Sequence, residues 1–174
     1  MSRETELVEP LCRWFQHQLS KNNLLLIHEE ASGRGGRRPD LLVVVAPRAN
    51  TSVDEATMIP VEIENSTKGA IHDRRNGLRQ LRKYPGQLKF LAIPRTIARR
   101  YTAAEIRRRC TEQGVGLLVV DPDDGAVELE IEPERQDPYK TLRTYRTTMG
   151  RWISLRNSGD SFRRISHRRI FERF

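Results

Sequence analysis

Asp40, Glu62 and Glu64 are the residues whose types and spacing point most directly to chemistry. Asp40 follows Pro39 and opens an apolar run, Leu41 to Val45. Glu62 and Glu64 alternate with Ile59, Val61 and Ile63 over residues 58–64, which sets both carboxylates on one side of an extended strand. If the two segments pair as a hairpin centred near residue 52, Asp40 lies opposite Glu64 and near Glu62, and three carboxylates gather at one end of a sheet. Gathered carboxylates repel one another unless a proton or cation is shared among them. A hard divalent ion such as Mg²⁺ is bound by one or two carboxylates together with waters and substrate phosphates. The competing reading makes Glu62 and Glu64 the wet side of an edge strand. Glu128, Glu130 and Glu132 alternate equally well with no aspartate upstream, so spacing alone leaves both readings open.

The elements that must position these residues follow from periodicity. Leu7, Val8, Leu11, Phe15 and Leu19 recur at helical spacing, predicting an amphipathic helix over 4–20, with Pro10 just after its first turn. Leu24 to Ile27 reads as a strand. The run at 41–45 is apolar on both faces, as in a central strand covered on both sides. A helix is predicted from about Ile71 to Tyr84, closed by Pro85-Gly86. Next come a strand at 90–93, a helix at 103–113 stopped by Gly114, a buried strand at 115–120 and an alternating strand at 126–132. The order α-β-β-β-α-β-α-β-β predicts an α/β fold, a mixed sheet flanked by helices.

Composition excludes several classes. Of the 174 residues, 37% are apolar and 31% charged, as in one domain with a solvated remainder. Cys12 and Cys110 are isolated, so structural zinc, an iron–sulfur cluster and a thioredoxin-type site lack their ligands, and a reducing cytoplasmic setting is expected. His17, His28, His72 and His167 form no ligand pair. No apolar run reaches membrane-spanning length, and the charged N-terminus has no signal pattern, so no membrane is expected. The net charge of +8 resides in residues 135–174, leaving residues 1–134 neutral. A neutral body with a cationic extension points to a polyanion, nucleic acid first.

Pro39-Asp40 and Glu62-Ile63-Glu64, in this order, resemble the PD-(D/E)XK nuclease superfamily, the restriction-endonuclease-like fold. Glu4-Thr5-Glu6-Leu7-Val8 is similar to the start of the first helix in archaeal Holliday-junction resolvases of that fold. Gln80 and Tyr84 match the Q-x-x-x-Y motif of RecB-like members. The resemblance implies a core over 1–134, with Mg²⁺ or Mn²⁺ held by Asp40, Glu62 and the carbonyl of Ile63. It implies DNA over RNA as substrate, and many duplex cutters of this fold are homodimers. Glu4 suits the helix carboxylate that some members add to the metal; otherwise it is a first-turn acid answering the helix dipole. Gln80 and Tyr84 would orient the site and the nucleic-acid backbone; the plainer reading is a surface Gln and a Tyr packed at a helix end. Glu64 departs from the motif, which has Lys there to stabilise charge developing on phosphate. Some members carry E-x-E, and Lys68, in a turn beyond Glu64, is a candidate for the missing cation. Without one the site is inactive.

Two basic segments remain. Ser32 to Arg38 is a cationic loop beside Asp40, suited to a phosphate backbone or simply solvated, and it lacks a P-loop ending. In the extension, Leu142, Tyr145, Met149, Trp152 and Ile153 recur at helical spacing among arginines, and Phe162, Ile165 and Ile170 begin a second such pattern. Basic residues interleaved with aromatics suit nucleic acid, as well as a membrane surface or a disordered tail. The expectation is a metal-dependent nuclease. The alternatives are an inactive nucleic-acid-binding protein on the same fold and an interaction subunit whose extension docks on an acidic protein.

Overall fold

A computed structural model describes residues 4–19, 24–29, 39–46, 56–72, 77–136 and 170–172. Helix α1 (Glu4–Leu19) precedes strands β1 (Leu24–Glu29), β2 (Leu41–Ala46) and β3 (Thr57–Ile63), which pair antiparallel. Short helices α2 (Thr67–Ile71) and α3 (Gly77–Leu81) lead to β4 (Phe90–Pro94), and α4 (Arg95–Ala98) and α5 (Ala103–Glu112) lead to β5 (Gly116–Val120). Strands β3, β4 and β5 run parallel; β6 (Val127–Ile131) returns antiparallel. With β7 (Ile170–Glu172) on β1, the described strands form one sheet in the order β6-β5-β4-β3-β2-β1-β7.

The sheet is covered on both faces, the reason its inner strands are apolar throughout. On one face the α1 residues Leu7, Leu11 and Phe15 meet Val43, Ile59, Val61 and Ile63. On the other, Leu78, Leu81, Ile106 and Cys110 from α3 and α5 meet Leu91, Leu117 and Val119. Phe15 packs edge-to-face on Phe90 at 5.6 Å and on Trp14 at 5.0 Å, the offset geometry that ring quadrupoles favour. Strand β3 lies in the middle of the sheet order, and every residue from Met58 to Ile63 is buried.

The α/β class and the mixed sheet agree with the sequence reading, and three elements differ. The helix expected over 71–84 is two short helices; Gly77, which opens the second, has φ +60°, outside the right-handed helical region, and a Cβ there would collide with the backbone of Gly69 and Ala70. Tyr84 therefore follows α3 in a turn. Helix α4 starts at once after β4, where no periodicity marks so short an element. Ile170–Glu172, expected in a helical pattern, instead adds an edge strand to β1. The rest of that pattern, the helix expected from Leu142 to Ile153 and the loop Ser32 to Arg38 lie outside the described residues.

Phe15 anchors α1 to the sheet, so Phe15→Ala removes both its buried area and two ring contacts. The expected loss is about 3–4 kcal/mol of unfolding free energy, measured by urea denaturation. A loss under about 1 kcal/mol would contradict this packing.

Candidate active site

The acidic residues are brought together by the β2–β3 pairing. Leu41 lies opposite Val61, so extending the register one step puts Asp40 opposite Glu62. The sequence reading paired Asp40 with Glu64; the true register differs by two residues, which keeps the carboxylates on the same face. Asp40 is fastened there by its own side chain, whose Oδ2 accepts the Ile63 N–H at 2.7 Å. Ile63 is thus the backbone link between the two strands, with its side chain in the α1-side core.

Glu62 and Glu64 are only 5% and 3% exposed, which rules out the wet edge strand. The two residues differ in what surrounds them. Burial first, then the Asp40 charge and to a lesser degree that of Glu64, push the Glu62 carboxyl from 4.5 up to about 9, against the Tyr84 hydroxyl and the Gly77 N–H, which donate to its charged form. Its Oε1 is buried with no hydrogen-bond partner among the described residues. The left-handed backbone at Gly77 is therefore part of the site, since the residue that breaks the helix also aims an N–H at Glu62.

Glu64 is held by the sheet through its N–H, which donates to the Ala92 carbonyl at 2.9 Å. Its carboxylate lies against Gly69, where any Cβ would collide with Oε2. The Gly69 N–H donates to Ser66 Oγ, the N-cap of α2, so a short capped turn wraps the acid closely.

The remaining expected residues divide. Tyr84 is buried and reaches Glu62, whereas Gln80 is half-buried on α3 and its side chain bonds no other described residue. Lys68 is on helix α2, not in a turn, and is exposed. Glu4 is exposed in the first turn of α1. Exposed Glu6, also on α1, lines a cleft of about 600 Å³ with Asn65, Arg95, Arg99, Arg100 and Asp121. This cleft opens at the carboxyl ends of the parallel strands β3, β4 and β5, the usual place for ligands in an open α/β sheet. Chain order hides it, because its walls come from segments more than a hundred residues apart.

Asp40 and Glu62 fit a hard divalent cation in a limited sense. Like charges crowded in the interior and an orphaned carboxylate oxygen on Glu62 are what such an ion would satisfy. Among the described residues no group of three or more His, Cys, Asp or Glu side chains forms a ready metal cage. From this chain an ion here would have the carboxylates of Asp40 and Glu62, with water and phosphate to complete its shell. Comparison with known proteins finds no matching family model, curated protein or solved structure. The family likeness thus rests on the residues themselves.

In metal-free protein the folded state keeps the Glu62 proton to about pH 9, whereas the unfolded chain releases it near 4.5. The stabilisation is full below pH 4.5 and is lost as pH rises through that window, at up to about 1.4 kcal/mol per pH unit. In EDTA, Glu62→Gln should flatten the decline of Tm with pH, matching wild type at low pH and exceeding it near pH 8. Parallel Tm curves for the two proteins across the window would contradict the assigned environment.

Proposed function

We propose that the protein is a metal-dependent nuclease of the restriction-endonuclease-like fold, hydrolysing phosphodiester bonds in nucleic acid, DNA by family likeness. The observation that carries this reading is the pairing of Asp40 with buried Glu62 at the end of the central strand, with Tyr84 donating to Glu62. Two acids facing each other across paired strands, one of them buried, are costly to stability, and perturbed carboxylates concentrate where chemistry is done.

In this reading Asp40 and Glu62, with the Ile63 carbonyl, hold Mg²⁺ or Mn²⁺. The ion, when bound, polarises the phosphate and acidifies water. The chain's own groups set the geometry. The Ile63 N–H fixes Asp40, while Tyr84 and the Gly77 N–H favour the ionised form of Glu62. Glu64, wrapped against Gly69, is the carboxylate placed to accept the proton of the attacking water. Glu4, exposed, is left out of this set, and Gln80 is reserved for contact with substrate.

A second reading has a specific observation behind it: Glu64 stands where the motif has Lys, and Lys68 is exposed on α2 instead. Without that cation the same scaffold binds nucleic acid and does not cut. The two readings separate on a panel of labelled single-stranded, duplex, flap and four-way-junction substrates with Mg²⁺ or Mn²⁺. A nuclease gives metal-dependent cleavage that falls by about 100-fold or more in Asp40→Ala. Salt-sensitive binding without cleavage, or cleavage gained only in Glu64→Lys, supports the binding protein. Cleavage retained in Asp40→Ala would overturn the site.

A further inference from the structure

We infer that Arg99, Arg100 and Tyr101, in the turn between α4 and α5, form a platform that grips single-stranded nucleic acid and leads it past Asn65 to the carboxylates. The inference rests on the nucleic-acid reading above and names the part of the molecule that holds the strand. Three independent observations converge on this turn.

The first is charge left unanswered. Between residues 95 and 109, Arg95 pairs with Asp121, Arg107 with Glu130, Arg108 with Glu105 and Glu112, and Arg109 with Glu105. Arg99 and Arg100, both exposed and both lining the cleft, have no such partner among the described residues. The cleft's carboxylates come from other elements, Glu6 from α1 and Asp121 and Asp123 from the turn after β5, and Asp121 is already neutralised by Arg95 at 2.6 Å. Two exposed guanidinium forks on adjacent residues suit successive phosphates.

The second is an aromatic ring in water. Tyr101 is 94% exposed, whereas Leu129 on the edge strand β6 is 36% exposed. An exposed ring next in the chain to two exposed arginines is the combination by which proteins hold unstacked bases and their phosphates. Duplex bases offer no open face, so the ring selects single-stranded segments.

The third is position. Thr102 Oγ1 and Thr67 Oγ1 lie 3.1 Å apart, which ties the turn to α2, the helix whose Gly69 seats Glu64. Asn65, the residue after Glu64, lines the same cleft as Arg99 and Arg100. A strand gripped by Arg99 and Arg100 therefore lies along a cleft whose wall at Asn65 is the next residue after Glu64 in the chain.

The test is fluorescence anisotropy of the full chain with a labelled oligothymidylate in EDTA, over a series of NaCl concentrations, with heparin as a polyanion that has no bases. Tyr101→Ala should weaken oligothymidylate binding by about 5-fold or more, Tyr101→Phe should retain it, and heparin binding should be unchanged. Arg99→Ala/Arg100→Ala should weaken both ligands and lower the salt slope by about one to two. All three side chains are exposed, so equal Tm values certify folding. Variants that bind oligothymidylate as wild type does, with the same salt slope, overturn the platform, even where Asp40-dependent cleavage persists. Equal losses on heparin and oligothymidylate in Tyr101→Ala also overturn it, because the ring would then not be reading bases. Selective loss in Tyr101→Ala together with no metal-dependent cleavage by wild type would leave the platform standing and remove the nuclease.

Discussion

Glu62 and Glu64 are carried into the interior by the strand in the middle of the sheet, beside Asp40, and much of the local structure is arranged around the resulting repulsion. A carboxylate in such a place is tolerated only if it is protonated, hydrogen-bonded or matched by a cation. A raised proton affinity at Glu62 and hydrogen bonds to both acids are visible. The Ile63 N–H holds Asp40, Tyr84 and the Gly77 N–H favour ionised Glu62, and the lone buried Oε1 of Glu62 is left for a further partner. Two glycines make the enclosure possible: Gly69 by having no Cβ where Glu64 lies, Gly77 by adopting a backbone that other residues resist.

The helices divide the labour across the sheet. Helix α1 supplies bulk, through Leu7, Leu11 and Phe15, to the face that carries no candidate chemistry, and so makes the central strands rigid. The opposite face receives α5 and the short helices α2 to α4, which bring backbone turns to the carboxyl ends of β3, β4 and β5. That arrangement puts precision where it is wanted, because groups on strand ends and tight turns are held by the sheet while the cleft beside them stays open. No helix among the described residues is long and apolar enough to cross a membrane.

Most of the strands and the longer helices were legible in the sequence, since period-2 and period-3.6 patterns reflect burial directly. Side by side, Glu62/Glu64 and Glu128/Glu130 show where that legibility stops. Both pairs alternate with apolar residues, yet the first is buried in β3 and the second is on edge strand β6, where Glu128 is exposed and Glu130 meets Arg107. Which strand is central is decided by tertiary pairing, and nothing local encodes it. The register of Asp40 escaped for a similar reason: the loop between β2 and β3 does not set it, and only Ile63 and the core alternation do. Gln80 and Tyr84 were placed by motif spacing, which presumes one continuous helix, and Lys68 in a turn; instead Lys68 is on α2 and Tyr84 lies past the end of α3. Glu6 and the arginines of α4 could not be linked from sequence, because their shared cleft exists only once β3, β4 and β5 lie side by side.

The central claim is that half-buried Asp40 and buried Glu62 exist to hold a divalent cation. Electron paramagnetic resonance of Mn²⁺ titrated into the full chain tests it without requiring any substrate. The account predicts Mn²⁺ that is bound by wild type, displaced by excess Mg²⁺, and lost in both Asp40→Asn and Glu62→Gln. Wild type that leaves all Mn²⁺ free in solution, or variants that bind it equally well, would contradict the account at its root.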